Sequence, residues 1–148
     1  MESSVQPRIL ALDVGDRRIG IALSDALGYT AQPLLTLHRT SPRADVKSIA
    51  RLVRKHEVAE IVVGNPLYMS GDQSPQAAKA QAFAAQLGEA IAPVPIRLWD
   101  ERLTTTEAHR HLDAAGVPGG QQGRAERRQI IDQVAAVLIL QAFLDARG

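Results

Sequence analysis

The stretch RILALDVGDRRIGIALSD, residues 8–25, decides the fold of this chain. Two apolar runs of strand length lie on either side of the turn-like GDRR segment, so the sequence predicts an antiparallel hairpin. One charged residue, Asp13, lies inside these runs, where it follows apolar residues and precedes Val14. A buried charge without a partner costs several kcal/mol. We therefore expect another group to compensate Asp13.

Downstream of the hairpin, helical and strand patterns alternate. YTAQPLLTLHR, residues 29–39, predicts a third strand, and Pro33 limits it to a sheet edge or a bulge. Apolar residues along one helical face predict a helix over Pro42–Lys55. The other predicted elements are a buried strand at 60–66, a helix at 77–90, a strand at 94–99, a helix at 105–115 and a helix from about 126 to 147, with a breaker-rich loop at 67–76 and a glycine-rich, mobile loop at 116–124.

This element order predicts an α/β fold with a five-stranded mixed sheet flanked by helices on both faces. We expect a flexible tail at residues 1–7 and a single domain at residues 8–148, because 148 residues make one ordinary domain.

Composition excludes several classes of protein. A hydrophobic content of 45% with 22% charged residues indicates a globular chain, and the lack of cysteine excludes disulfides and thiolate metal sites. The apolar run VAAVLIL, residues 134–140, is far short of the roughly 20 residues that a membrane span needs. We expect a cytoplasmic protein with no membrane partner. A net charge of +1 says little by itself about nucleic-acid binding.

Glu101 is a second candidate acid, located between a predicted strand and a predicted helix. It follows the strand at 94–99, and Thr104 with Glu107 forms the S/T-x-x-E pattern of a helix capping box. Glu101 therefore lies just outside that helix, at the carboxyl end of a strand, where open α/β sheets form their sites. Asp13 also lies near the end of its own strand.

Asp132 is the third acid, with Ile130 and Ile131 before it and an apolar run after it. Ala135 and Ala136, one helical turn later, are small and leave space beside its carboxylate for an ion or a closely packed strand. The alternative is that Asp132 caps the start of the final helix, as Asp often does.

Three acids that converge repel one another unless protons or cations neutralise them. Oxygen ligands without His or Cys suit Mg²⁺ or Mn²⁺ rather than zinc. Two such ions can activate a water and stabilise both oxygens of an in-line phosphoryl displacement. The residues therefore favour hydrolysis of phosphodiester bonds.

Four segments resemble, in order and spacing, the motifs of the YqgF family, also called RuvX, whose members are bacterial relatives of the RuvC Holliday-junction resolvase. They are LDVGDRRIGIALSD at 12–25, GNPLYMSGDQSPQAAKAQAFA at 64–84, DERLTTTEA at 100–108 and IDQVAAVLILQAFL at 131–144. The resemblance implies a ribonuclease H-like fold, with Asp13, Glu101 and Asp132 as the catalytic acids that bind Mg²⁺ or Mn²⁺. It also implies a nuclease that matures the 5′ end of 16S ribosomal RNA from its precursor, in a family also described as Holliday junction resolvases.

The chain departs from the family pattern at two places. The usual loop is close to G-L-P-x-x-x-D-G-S, whereas Asn65, Ser70 and Asp72 occupy the Leu, Asp and Ser positions. This departure affects expected substrate contacts more than the metal site. RuvC has a fourth acid three residues after the last one, and here that position is Ala135. Its loss weakens a direct transfer of resolvase activity.

Basic residues beside the three acids are the candidate phosphate contacts, because Arg can bind phosphate with two hydrogen bonds. Tyr68, in the loop at 67–76, is the candidate for stacking on a base. The predicted nucleic-acid-binding residues are therefore Arg17, Arg18, Tyr68, Arg102, Arg124, Arg127 and Arg128.

A second set, Arg43, Lys47, Arg51 and Lys55, recurs every four residues on the first helix. Such a stripe could neutralise phosphates. It is also the pattern of an ordinary solvated helix face, and the sequence leaves both interpretations open.

The leading hypothesis is a metal-dependent endonuclease that acts on structured RNA. The same site could instead cut branched DNA as a homodimer, since two strands must then be cleaved together. A non-catalytic RNA-binding module is the third hypothesis, although all three acids are present. An actin-like ATPase is discounted, since those proteins close two similar domains around a nucleotide and this chain supplies one.

Overall fold

The structure is a computed structural model that describes residues 6–101 and 120–147, with side chains described from residue 131 onward in the second stretch. In chain order its elements are β1 (Arg8–Val14), β2 (Arg18–Ser24), β3 (Ala31–His38), α1 (Pro42–Lys55), β4 (Val58–Asn65), α2 (Pro75–Ile91), β5 (Ile96–Asp100) and α3 (Gly120–Arg147). Residues 1–5 of the predicted tail and the predicted helix at 105–115 lie outside the described residues.

The five strands form one mixed sheet in the order β3-β2-β1-β4-β5. β1 and β2 pair antiparallel as the predicted hairpin, and β1 pairs with β4, and β4 with β5, in parallel. β3 lies at the edge, and its register with β2 shifts where Pro33 pairs with Ala22. Both consequences expected of Pro33 are therefore confirmed, because a residue without an N–H interrupts the hydrogen-bond ladder.

Alternation along β1 divides the core between the two faces of the sheet. Leu10, Leu12 and Val14 pack with residues of α1 and α2, whereas Ile9 and Ala11 pack with residues of α3. The predicted sheet with helices on both faces is confirmed. Because side chains alternate along a strand, Asp13 lies on the face that α3 covers.

α1 has the bounds that its periodicity predicts. The Ser41 hydroxyl accepts a hydrogen bond from the backbone N–H of Ala44 at 3.2 Å, and Pro42 occupies the first turn, where its missing N–H costs nothing. Val46, Ile49 and Val53 are buried against the sheet.

The strands predicted at 29–39, 60–66 and 94–99 lie at Ala31–His38, Val58–Asn65 and Ile96–Asp100, and two predicted helix starts are wrong. α2 begins at Pro75 rather than at residue 77, because Ser74 caps the backbone N–H of Ala77 and shortens the loop. α3 begins at Gly120 rather than near 126, so residues 120–124 of the predicted mobile loop are helical. Extending a formed helix adds a hydrogen bond for each residue fixed, and this gain exceeds the low helix propensity of the glycines. No helix in the described residues is long and apolar enough to cross a membrane.

Candidate active site

Asp13 lies near the carboxyl end of β1, opposite Gly20 of β2 in the antiparallel register. Burial and, to a smaller extent, the negative charge of Asp132 raise the pKa of Asp13 from 3.8 to about 7. The surroundings of Asp13 therefore disfavour its ionised form, and the Asp132 carboxylate repels its negative charge.

The absence of a side chain at Gly20 allows Asp132 to lie close to Asp13. A Cβ atom at Gly20 would lie 2.0 Å from the backbone oxygen of Asp132, a distance that no real Cβ contact shows. The backbone of α3 therefore lies directly on β2 at the residue paired with Asp13. Asp132 lies well inside α3, which begins at Gly120, so the alternative that it caps the helix is wrong.

Arg18 partners the Asp132 carboxylate. Its Nε donates a hydrogen bond of 2.7 Å to Oδ2 of Asp132, and both side chains are partly buried. The pair joins the start of β2 to the middle of α3. Arg18 therefore offsets part of the negative charge of the site and fixes one oxygen of Asp132.

Glu101 follows β5, and its backbone N–H donates to the carbonyl of Asn65 at 3.3 Å. Its side chain is 6% exposed, and its Oε2 has no hydrogen-bond partner among the described residues. Burial, then the charges of Asp13 and Asp100, raises the pKa of Glu101 from 4.5 to about 8. A buried oxygen without a partner normally carries a free-energy penalty of about 1–3 kcal/mol, and more if it is charged.

A second glycine makes room for Glu101. A Cβ atom at Gly64 of β4 would lie 1.7 Å from Oε2 of Glu101 and 2.7 Å from Cδ1 of Ile139 in α3. The Glu101 carboxylate therefore lies over bare backbone of β4, on the same face as α3. β4 is also the strand next to β1, which carries Asp13.

The three predicted acids thus meet on one face and at one end of the sheet. Asp132 raises the pKa of Asp13, and Asp13 raises that of Glu101, so Asp13 is the central member. Among the described residues, no three His, Asp or Glu side chains already form a group that could hold a metal ion. The acids are close enough to repel one another, but they are not assembled as a finished ligand set.

The residues nevertheless match the requirements of a hard divalent cation. All donors are carboxylate oxygens, which Mg²⁺ and Mn²⁺ prefer. Within residues 6–101 and 131–147, no group partners Oε2 of Glu101, and the raised pKa values of Asp13 and Glu101 indicate that these residues do not neutralise the two acids. A cation bound here would offset both the repulsion and the missing hydrogen bond.

The other predicted site residues differ in placement. Arg17 is exposed in the β1–β2 turn, Arg18 is engaged with Asp132, and Tyr68 is 53% exposed in the β4–α2 loop. The predicted arginines outside the described residues or side chains are Arg102, Arg124, Arg127 and Arg128.

The β4–α2 loop, where the chain departs from the family pattern, is ordered by its own hydrogen bonds. The backbone N–H of Tyr68 donates to the carbonyl of Asp72, and that of Gly71 donates to the carbonyl of Tyr68. The hydroxyl of Ser70 donates to the Asp72 carboxylate at 3.1 Å, so two of the departing residues partner each other. The loop thereby presents Tyr68 to solvent, after the strand that contains Gly64.

Sequence reasoning missed four residues near the site. Gly20 and Gly64 had an available signal, because a glycine inside a strand often marks a close approach of another backbone or group. Arg39 and Asp45 had none. Asp45 is 2% exposed and accepts hydrogen bonds from the Arg39 side chain and the Thr40 backbone N–H. In the sequence, Asp45 resembles an ordinary acid in the first turn of a helix.

Comparisons with known sequences match the whole domain. A family model described as RuvX, Holliday junction resolvase, matches residues 7–146. A protein of Pelotomaculum thermopropionicum is 49% identical over 142 residues, covering 95% of this chain and 88% of the relative. A protein of Koribacter versatilis is 47% identical over 146 residues, covering 99% of this chain and 92% of the relative. Both relatives carry the name "Putative pre-16S rRNA nuclease".

Comparisons with solved structures give the same fold. RuvC of Thermus thermophilus, solved with a Holliday junction substrate, aligns with a TM-score of 0.54 at 14% identity and covers 97% of each chain. The fowlpox virus resolvase, solved with Holliday junction DNA, aligns with a TM-score of 0.57 at 10% identity, covering 95% of this chain and 98% of the resolvase. At such low identities these similarities show the ribonuclease H-like fold alone.

Proposed function

The chain belongs to the RuvX family of resolvase-like nucleases, and from that premise we propose that it is a divalent-cation-dependent endonuclease that matures the 5′ end of precursor 16S ribosomal RNA in the cytoplasm. The observation that carries the proposal is the buried Oε2 of Glu101 beside Asp13, which no group in the described part of the chain partners. The names of the relatives support RNA as the substrate.

In the proposed reaction, Asp13, Glu101 and Asp132 hold Mg²⁺ or Mn²⁺. When bound, these ions activate a water and offset the charge that develops on the scissile phosphate. Gly20 lets the backbone of α3 carry Asp132 to this position, and Gly64 leaves space for the Glu101 carboxylate. Arg18 orients Asp132 through its 2.7 Å hydrogen bond.

The substrate is held by residues around the acids. Arg17 is exposed in the turn that follows Asp13, and we assign it to a phosphate, with Arg102, Arg124, Arg127 and Arg128 as further phosphate contacts. Tyr68 is exposed on its ordered loop, and we assign it to stacking on an unpaired base.

The test measures cleavage of a precursor 16S RNA fragment by wild type and by Asp13→Asn. Wild type should cut in Mn²⁺ and stop when EDTA is added. Asp13→Asn should lose at least about 10³-fold in rate, because a residue that binds the cation contributes several kcal/mol to the transition state. The variant should fold at least as well as wild type, because the substitution removes a buried charge.

Calorimetry with Mn²⁺ gives a second measurement that does not depend on the choice of RNA. Wild type should bind Mn²⁺ and Asp13→Asn should bind it much more weakly. Cleavage that persists in EDTA would exclude the cation-dependent mechanism. A folded wild-type protein that binds no Mn²⁺ would exclude the assigned ligand set.

Branched DNA is the alternative substrate, and the family description favours it. A resolvase acting as a homodimer would cut four-way junctions in paired, symmetric positions at the same Mn²⁺ concentration. Ala135, which is 3% exposed, supplies no fourth carboxylate next to Asp132. Symmetric cutting of junctions that is faster than cutting of RNA would replace the proposed substrate while leaving the site unchanged. Binding of RNA without cleavage under any metal condition would favour a non-catalytic module.

A further inference from the structure

The outer side of α1 carries only positive charge. Its exposed basic residues, here called the α1 basic face, are Arg43, Lys47, Arg51, Arg54 and Lys55. The one acid of this helix, Asp45, is 2% exposed and is paired inward with Arg39. Among the described residues, none of the five forms an ion pair.

This concentration of charge is unusual for the chain as a whole. The formal net charge is +1, although α1 alone has five basic residues against one acid. The rest of the chain therefore contains more acidic than basic residues. An ordinary solvated helix commonly has charges of both signs that stabilise it through pairs three or four residues apart, and such pairs are missing on this face.

The α1 basic face begins at the same end of the sheet as the three acids. The backbone N–H of Arg39, just before α1, donates to the carbonyl of Arg17 in the turn that follows Asp13. A cleft of about 520 Å³ lies between this turn and the start of α1, lined by Arg17, His38 and Arg39 and by the acids Asp16 and Asp45, which pair with Lys79 and Arg39. The exposed Arg17 in this turn thus lies between the catalytic end of the sheet and the start of the helix.

From there the α1 basic face leads away from the catalytic acids. α1 packs on the face of the sheet opposite α3, whereas Asp132 lies on α3. The stripe from Arg43 to Lys55 is about 18 Å long, at a rise of about 1.5 Å per residue. A nucleic acid that touches both regions must extend around the end of the sheet.

We infer that the α1 basic face is a second nucleic-acid contact, which binds the phosphates of a duplex segment of the substrate at a distance from the cleaved bond. This inference rests on the proposed function for the identity of the substrate. It gives the protein a preference for a large structured RNA over a short fragment that contains only the cleavage position.

An anionic membrane is the competing partner for a basic helix, and the structure disfavours it. Membrane-surface helices place large apolar side chains beside their basic residues and insert them below the headgroups. α1 has none that are exposed, because its apolar residues pack into the sheet. Among the described residues, the exposed large apolar side chains are Leu27, Tyr29, Tyr68, Met69 and Leu98.

The test measures binding of two RNA probes in EDTA, so that it does not depend on cleavage. One probe is a short hairpin, and the other is the same hairpin extended by roughly 16 base pairs, the span of a double-stranded RNA-binding domain. The variant combines Arg43→Gln, Lys47→Gln, Arg51→Gln and Lys55→Gln, because Gln has a helix propensity close to those of Lys and Arg. The control combines Arg97→Gln and Arg147→Gln, which remove two charges from β5 and α3 and are therefore matched to the double variant Arg51→Gln with Lys55→Gln.

Wild type should bind the extended hairpin at least about tenfold more tightly than the short one, and the variant should lose most of this difference. The magnitude of the slope of log affinity against log salt for the extended hairpin should fall by about 3.6, at roughly 0.9 for each of the four phosphates that the variant no longer neutralises. The control should behave as wild type. If the fourfold variant does not fold, Arg51→Gln with Lys55→Gln should lower the slope by nearly 2.

Equal affinities of wild type and a folded variant for the extended hairpin would overturn the inference. Equal decreases in affinity for the control and for Arg51→Gln with Lys55→Gln, which remove the same number of charges, would also overturn it, since the effect would then be one of net charge. Binding of phosphatidylserine vesicles that depends on these residues, with RNA binding unchanged, would assign the face to a membrane instead. All of these results are independent of whether the protein cleaves RNA, so failure of the proposed function would be seen separately.

Discussion

Asp45 and Glu101 are both almost fully buried carboxylates, at 2% and 6% exposure, but their surroundings are opposite. Asp45, on the α1 side of the sheet, accepts hydrogen bonds from Arg39 Nε at 2.9 Å and from the Thr40 backbone N–H at 3.1 Å. Glu101, on the α3 side, keeps an oxygen that no described residue partners, and the charged neighbours that raise its pKa are the acids Asp13 and Asp100. Burial of a charge therefore does not by itself identify a site. The missing compensation does.

The compensated pair also has a structural role. Arg39 donates a further hydrogen bond of 2.9 Å to the carbonyl of Gly15, and its guanidinium lies 5.1 Å from the centre of the Phe83 ring in α2. It thereby fixes the turn that follows Asp13 and ties it to both helices on that face. The face of the sheet opposite the three acids therefore anchors the turn that follows Asp13.

Among the tests of the difference between Glu101 and Asp45, Glu101→Gln is expected to have the largest effect. Cleavage should fall by at least about 10³-fold, because the amide cannot share a cation as a carboxylate does. In the absence of metal, the free energy of unfolding should stay equal or rise, because an unfavourable buried charge is removed. Rate assays in Mn²⁺ and urea unfolding in EDTA measure the two effects. Glu60→Gln serves as the matched control, because Glu60 pairs with Arg97 and lies away from the three acids.

Asp45→Asn should produce the reverse pattern. The free energy of unfolding should fall by about 3 kcal/mol, because Arg39 then loses the charge that compensates it. Cleavage at a temperature well below the melting midpoint should decrease much less than in Glu101→Gln. Urea unfolding and a rate assay on the same preparation are sufficient. Asp45→Asn matching wild type in stability would show that the ion pair does not distinguish the two faces.

The smallest expected effect is a dependence of stability on pH in the metal-free protein. The pKa values of Asp13 and Glu101 are raised from 3.8 to about 7 and from 4.5 to about 8, so the folded chain binds more protons than the unfolded chain between these limits. The contribution of these two groups to the free energy of unfolding is therefore largest below about pH 4, and it is lost as the pH rises to about 8. We expect the free energy of unfolding to fall from pH 5 to pH 8, by less than about 1.4 kcal/mol for each unit of pKa shift, because Asp13 is partly exposed and water screens its charge.

Melting curves in EDTA at pH 5 and pH 8 measure this dependence. Asp13→Asn should flatten it, and added Mn²⁺ should restore stability at pH 8. A wild-type protein that is more stable at pH 8 than at pH 5 without metal would mean that the acids are compensated by another group.

Local patterns predicted much of the fold. The bounds of α1 follow from apolar spacing and from Pro42, and the edge position of β3 follows from Pro33, because both depend on neighbouring residues only. The start of α3 was not predictable in the same way, since the glycines near residue 120 favour a loop locally. The length of that helix depends on the cooperativity of the whole segment.

The site was predictable in its residues but not in its construction. Asp13, Glu101 and Asp132 follow from lone acids in apolar surroundings and from the family motifs. The clearance at Gly20 and Gly64 requires knowledge of which backbone passes above each strand. The partner of Arg18 was also hidden, because 114 residues separate it from Asp132 in the chain.

The contact between Gly20 and the backbone of Asp132 has a consequence for synthesis of the protein. A chain emerging from the ribosome presents Asp13 early, but the last acid arrives on the C-terminal helix, whose docking on β2 needs nearly the whole chain. On the proposed function, a nuclease is thus made beside the ribosomal RNA of its own translating ribosome while it still lacks one acid of its site. Translation that stops before residue 132 releases a product without that acid, which on the same proposal lacks a cation ligand.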